Sequence, residues 1–440
     1  MTQTKQVPNR TLDVAPSTPA QNAEAIEGFL AQAALGDPTE TPGVTDVDNQ
    51  IVLISGDLLT GERIRSLLVS RSEEATPWRR LQFVVYVMGL FHLKMACTDA
   101  IWRIFIQPKA VRGDTTCLMD LFYEIRPRET GKLGSKPGYR RMHECIEHIG
   151  IVLRLDAWRL EVVKQDSSCT SLDDFASKEP TWEQTVALAT TLCRERVAPI
   201  DIETSMRKKE SAERDGQYEN ILILHQYFLL YEELSYAMNA GDIGRVEACF
   251  LPWMMIFSGC GKHKYAAELQ HYLEDVHFNF PVDLRNAIRM NILCNPTGKP
   301  GKFRGIDWLV EHNNLYIKRI YCGKFSNHTK GHIINESPLI EVYKDTRAQF
   351  ERMFCLDHKT TWHSPPKMTQ TFKHLATYME KERVNEFATG RTTKYTIPDM
   401  IGKGSTILAA KRGQLETRGE ELDMDDLGEL ELEDDGGIDL

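Results

Sequence analysis

None of the ten cysteines forms a C-x-x-C pair, so the two close ligand pairs that set tetrahedral zinc in ribbons and fingers are missing. Cys97 and Cys249 stand in apolar contexts, where a free thiol packs as a small hydrophobe; reduced, buried cysteines in an intracellular protein, nuclear or cytoplasmic, are the expectation. The opening MTQTKQVPNR has no apolar core, which argues against secretion. Asn327-His328-Thr329 and Asn335-Glu336-Ser337 therefore read as chance matches to a glycosylation pattern. No run reaches the roughly 20 apolar residues a bilayer requires. Phe83 to Phe91 and Phe250 to Phe257 are too short, and Ile221 to Met238 carries His225, Glu232 and Glu233, which marks a buried helix of a soluble protein.

Familiar catalytic signatures are also missing. Gly56 to Gly61 has the glycine spacing of a phosphate-binding loop, but Glu62 and Arg63 follow where Lys and Ser or Thr should meet phosphate and Mg²⁺. Gly402-Lys403-Gly404-Ser405-Thr406 has the right residue types in the wrong order. His328 and His332 lack the glutamate of a zinc-protease helix, and there is no G-x-S-x-G elbow. No fixed-period repeat supports a solenoid.

What is there is ordinary globular composition: 440 residues, 42% hydrophobic and 26% charged. The net charge of −10 is uneven. Eleven acids and no Lys or Arg lie between Gly419 and Leu440, and without them the chain carries +1. Such a block cannot bury enough surface to fold; it is expected to be a solvated tail, or else a DNA mimic or a hook for a basic protein partner. Residues 1–48, rich in Pro, Thr, Ala, Gln and Asp, read as mostly disordered, with room for a short helix at Asn22 to Ala34.

Order is expected from Gln50. Ile51 to Ser55 is a β-branched run ending in Gly56-Asp57, the pattern of a buried strand stopping at a turn. A helix with Ile64, Leu67 and Leu68 on one face follows, then a strand at Gln82 to Met88 and a helix from Phe91 to Ile106, stopped by Pro108. Beyond this the chain reads as helical near 139–165, 181–198, 216–240, 243–258, 262–277, 282–292, 306–321, 337–355 and 369–388, with a polar linker or loop at Asp166 to Pro180 and a turn-rich loop at Cys294 to Gly305. The expected fold is α+β and mostly α: a small α/β unit at 49–108, a helical body at 109–300, a C-terminal helical part at 301–400, and a disordered acidic tail at 401–440.

Three residues carry the candidate chemistry. Asp57, at the end of a strand, occupies the place where metal-dependent nucleases fix a Mg²⁺ ligand, and equally the place of a helix cap. His92 follows the second strand and shares a helix face with Met95 and Asp99, so an Asp–His pair there would orient a site, while a core histidine is the plainer alternative. Glu311 shares a face with Asp307 one turn before it, close to Lys302 and Arg304; the pair would hold a metal and a phosphodiester, or form a salt-bridged surface. Basic clusters stand at Arg79-Arg80, Arg140-Arg141, Lys262 to Lys264, Lys302 with Arg304, and Lys318-Arg319. Phosphate binding requires such groups to converge; scattered, they are solvated charges.

The blocks GDLLTGERIRSL (56–67), RRLQFVVYVMGLFHLKMACTDAIWR (79–103), GDIGRVEACFLPWMMIFSGCGKHKYAAELQHYL (241–273) and NPTGKPGKFRGIDWLVEHNNLYIK (295–318) resemble the domain family numbered 6589 among those of unknown function, abundant in mushroom-forming fungi. Their order also resembles, more distantly, RNase H-like cut-and-paste DNA transposases. That resemblance implies an incomplete RNase H-like unit with a large helical insertion, Asp57 as the second catalytic acid, His92 as the histidine after the next strand and Glu311 as the last acid, with Mg²⁺ on Asp57 and Glu311 if catalysis survives. The hairpin carrying a first acid has no room before Asp57, which implies a truncated or domesticated, catalytically impaired relative associated with DNA. The rival expectation is a helical protein–protein interaction module without DNA binding.

Overall fold

The computed structural model describes residues 1–15, 17–47, 50–197, 206–321, 329–355 and 368–411. The molecule is 66% helix and 5% strand, a mostly helical α+β architecture as expected. Helix α1 spans Pro19–Gln32 and α2 spans Leu58–Ser70. Between them lie the two-residue strands β1 (Leu35–Gly36) and β2 (Thr45–Asp46), which pair in parallel, and β3 (Val52–Gly56). Strand β4 (Val84–Met88) runs parallel to β3, in register from Val52 opposite Val84 to Gly56 opposite Met88. Both strands thus end at one edge, and helix α3 (Leu90–Phe105) leaves from that edge.

The segment before residue 48 departs from its expected disorder. In α1, capped by Thr18 and opened by Pro19, Ala23, Ile26 and Leu30 form an aliphatic stripe that packs with Ile64 and Leu67 of α2. The stripe, not Phe29, supplies the burial; Phe29 is left exposed. Composition averaged over the segment hides three well-spaced aliphatic residues, and periodic placement is what an amphipathic helix needs. Glu27 pairs with Arg71 at 2.8 Å. The first residues are tied down as well: Thr4 exchanges two hydrogen bonds of 2.8 Å with Asn295.

The helical body comprises α4 (Leu118–Ile125), which the sequence reading missed, α5 (Tyr139–Gln165), α6 (Trp182–Leu192), α7 (Gly216–Ala240), α8 (Ile243–Gly259), α9 (His263–Glu274) and α10 (Val282–Asn291). One core runs through β4, α3, α4, α5, α7, α8 and α9, with Trp253, Tyr227, Tyr231 and Phe228 fully buried. Helix α7 is buried nearly all round, consistent with its long apolar run. The polar stretch 166–180 is no bare linker: Cys169 is buried against Val162 and Leu188. Strands β5 (Leu293–Cys294) and β6 (Arg304–Gly305) form a short antiparallel pair that closes the turn-rich loop, and helix α11 (Ile306–Tyr321) starts directly from it.

The C-terminal elements are α12 (Ile340–Met353), α13 (Thr369–Lys381) and α14 (Met400–Lys411). Leu375, Met379, Val384, Ile397 and Met400 enter the main core. Asn385, buried, donates to the Leu153 carbonyl at 3.0 Å and to Asp156 at 2.8 Å, and accepts from His225 at 2.8 Å. Burial pulls the His225 pKa down to about 4, the Asn385 bond only partly opposing it, so this histidine is a neutral strut. Residues 401–411, expected to be disordered, are therefore helical, and α14 packs along α8. The acidic residues from 412 onward lie outside the described residues.

Candidate functional site

The edge where β3 and β4 end collects the three candidates, each by a different local cause. Asp57 is the N-cap of α2: its carboxylate accepts the Thr60 N–H at 2.8 Å. The Tyr86 hydroxyl donates to the carbonyls of Gly56 and Asp57, at 3.0 and 2.7 Å, and pins the strand end. Asp57 is thus engaged in the capping role, its side chain exposed.

His92 sits in the first turn of α3, whose N-cap, Gly89, has no side chain to satisfy the free N–H groups. Asp307 of α11 supplies what is missing from more than two hundred residues away. Its carboxylate accepts the Phe91 N–H and the His92 N–H, each at 3.0 Å, and meets His92 Nδ1 at 2.9 Å. Asp307 is 3% exposed. The fit depends on two glycines: a Cβ at Gly89 would stand 2.3 Å from Asp307 Oδ2, and one at Gly305 would stand 2.6 Å from Oδ1 and 2.8 Å from the Phe91 nitrogen. Neither position leaves room for alanine. One turn along α11, Glu311 Oε1 lies 3.8 Å from His92 Nε2.

Burial pulls the His92 imidazole down, but the bond to Asp307, the Asp307 charge, and the charges of Glu311 and Asp57 outweigh it, so the histidine titrates above its ordinary value. With Nδ1 held by a buried carboxylate, Nε2 is left facing Glu311 and solvent, the arrangement of an oriented imidazole. The structure brings His92 and Glu311 together, with Asp57 near enough for its charge to be felt. The Asp–His partner is Asp307, not Asp99; Asp99 binds Arg103 at 2.8 Å and Lys262 at 2.6 Å. Sequence reading placed Asp307 on the face of Glu311 but did not see it as the hub. The uncapped Gly89 was the available signal, because a helix start without Ser, Thr, Asp or Asn requires an acceptor from elsewhere.

The donor set does not suit a pair of divalent ions. Asp57 caps α2, both Asp307 oxygens are engaged, and among the described residues no group of three His, Cys, Asp or Glu side chains is placed to hold a metal. Two-metal phosphoryl chemistry needs carboxylates free to clamp both ions. If Asp57 is a cap and no more, Asp57→Ala should lower stability by about 1 kcal/mol, and added Mg²⁺ should leave the melting temperatures of both proteins unchanged. A Mg²⁺-dependent rise in the parent protein that Asp57→Ala abolishes would instead make Asp57 a ligand.

Several members of the basic clusters are paired with carboxylates. Arg79 pairs with Glu40 at 2.7 Å, Arg140 with Glu144 at 2.9 Å, Arg141 with Glu129 at 2.8 Å and Lys264 with Glu62 at 3.1 Å. The Arg319 side chain and His328 lie outside the described residues. No helix among the described residues is long and apolar enough to cross a membrane. No curated protein and no solved structure matches the chain. The model of a family of unknown function (DUF6589) matches residues 1–363, and on that match, which covers most of its length, the chain belongs to this family.

Proposed function

We propose that β3, α2, β4, α3 and α11 form a partial RNase H-like unit without two-metal chemistry, in a protein that associates with nucleic acid as a truncated or domesticated transposase relative would. One observation carries the reading: α11, separated from α3 by the helical body, returns to the end of the parallel β3/β4 pair and sets Asp307 and Glu311 against His92. A last acidic helix brought back across a large insertion to that edge is the geometry expected of such a unit. The capping of Asp57 and the engagement of Asp307 support the loss of catalysis.

The test is retention on duplex DNA against salt, without Mg²⁺. If about three phosphates are neutralised, affinity should fall roughly 40-fold between 50 and 200 mM salt. Absence of retention at 50 mM salt would sink the nucleic-acid reading. A second reading, a helical module that binds protein and not DNA, is favoured by the carboxylates that neutralise Arg79, Arg140, Arg141 and Lys264. In that case a basic protein partner for the acidic residues from 420 onward should be retained where DNA is not.

A further inference from the structure

Helix α12 is held against α11 by one face. Ile340 is buried, and Lys344 donates to Asn313 of α11, its ammonium lying 5.2 Å from the centre of the Tyr316 ring. The opposite face carries large apolar side chains open to solvent: Leu339, Val342, Phe350 and Met353, with Phe354 just past the helix end. They are 44 to 74% exposed. The rings of Phe350 and Phe354 sit side by side, their centres 4.5 Å apart. At 3.6 residues per turn, positions 339, 342, 346, 350 and 353 fall in one stripe about 80° wide.

The charges of α12 divide in the same way. Lys344 pairs with Glu341 and Arg347 with Glu351, each at 2.8 Å. Asp345 and Arg352 are exposed, and among the described residues neither has an ion-pair partner within 4.0 Å. Both lie on one flank of the apolar stripe. Two helical turns, about 10 Å of axis, separate them, so they cannot neutralise each other within one helix.

We propose that α12 is the contact of a two-fold symmetric dimer, packed antiparallel against α12 of a second copy of this chain. In such a pair each flank of the helix meets the same flank of its copy, because the two-fold axis runs between them. The register that sets Val342 against the second copy's Met353 also brings Asp345 opposite the second copy's Arg352, and symmetry makes that ion pair twice. Thr346 and Gln349 then meet across the centre, where their side chains can hydrogen-bond. A parallel pair would set Asp345 beside the second copy's Phe350 and leave both charges unmatched, so the flank charges select the antiparallel arrangement. The five apolar side chains leave on the order of 600 Å² open, the upper limit for a patch on a monomer. Two copies would cover about 1,200 Å², the lower end of stable interfaces and the size of a micromolar contact. Dimerisation through α12 is independent of the nucleic-acid reading.

The experiment is sedimentation velocity of the full chain from about 1 to 100 μM at pH 7, where a monomer–dimer equilibrium is expected. Phe350→Asp should keep the chain monomeric throughout, and at low concentration it should melt where the parent does, because the ring is exposed in the monomer. Asp345→Arg alone and Arg352→Asp alone should each raise the dimer Kd about tenfold, since two attractions become two repulsions. The double variant Asp345→Arg, Arg352→Asp should return the Kd to the parent value, a rescue that no other use of the same apolar face produces. A parent that stays monomeric, its α12 face then serving another segment or a foreign partner, overturns the proposal. So does a dimer insensitive to Phe350→Asp, assembly that continues beyond the dimer, or a double variant no stronger than the single ones.

Discussion

Asp307→Ala should be the most damaging single substitution at the strand edge, lowering stability by about 3–5 kcal/mol. The change strands the Phe91 and His92 N–H groups at the start of α3 and removes the buried partner of the His92 ring. Each orphaned donor costs about 1–3 kcal/mol, and part of that is recovered as water enters. Urea unfolding measures the loss. A second readout separates the cap from the ion pair: the His92 ring titration, followed by proton NMR, should fall in Asp307→Ala, because burial then acts with only Glu311 and Asp57 against it. The sign of the pH dependence follows. His92 titrates higher in the folded than in the unfolded chain, so its contribution is fully present below its unfolded value of about 6.5 and is lost as pH rises through the raised folded value. The parent should therefore lose part of its stability across that window, and Asp307→Ala should not. Asp307→Asn, which keeps an acceptor for the backbone but no charge, should recover much of the stability and none of the pH dependence. Equal pH profiles in parent and Asp307→Ala would mean that the ring and the acid are not coupled.

Gly404→Ala should release α14 from α8, at a cost of about 3 kcal/mol, the upper end for overpacking. A Cβ there would lie 1.8 Å from the Met255 carbonyl oxygen and 2.6 Å from its carbon, both backbone atoms that cannot step aside. Gly259 faces the same seam from α8, where a Cβ would meet the Met400 carbonyl at 2.5 Å. Gly402→Ala is the control: its Cβ would meet only the Asp399 side chain, at 2.9 Å, and alanine in a helix is favourable by about 1 kcal/mol over glycine. Hydrogen exchange of residues 400–411 is the measurement. Rapid exchange in Gly404→Ala but not in Gly402→Ala is the expected result. Rapid exchange in the parent would return this segment to the disordered tail that its composition suggests.

The contrast between these two places shows how far one-dimensional pattern reaches. The strands at 52–56 and 84–88, the helices at 139–165 and 216–240 and the turn at 295–303 were legible, because apolar spacing and Gly or Pro punctuation are local signals. Helix α1 was half legible, its span visible and its burial not, since burial depends on α2 being there to receive the stripe. Helix α14 was illegible, because an Ala- and Gly-rich segment next to a highly charged stretch packs against α8 and is held at Met400 by the Tyr227 hydroxyl of α7, neither of which is a local signal.

At the strand edge the same division holds for side chains. Asp57, His92 and Glu311 were recognisable as polar residues at strand ends and on a helix face, and local reading also supplied the capping role that Asp57 fills. Which residue orients His92 was not readable. Asp99 shared its helix, but two helical turns separate them, whereas Asp307 is brought into hydrogen-bond range by the β5/β6 hairpin and the absent side chains of Gly89 and Gly305. Sequence alone determined the mostly helical character, the two strands of the small α/β unit and the acidic stretch from 420 onward, since each follows from residue type and period along the chain; that the strands pair in parallel was read only from the structure. Only the tertiary structure decided that Asp307 caps α3 and that Arg79, Arg140, Arg141, Lys262 and Lys264 are paired with carboxylates, because electrostatic partnership depends on distance in space, and segments as far as two hundred residues apart supply it.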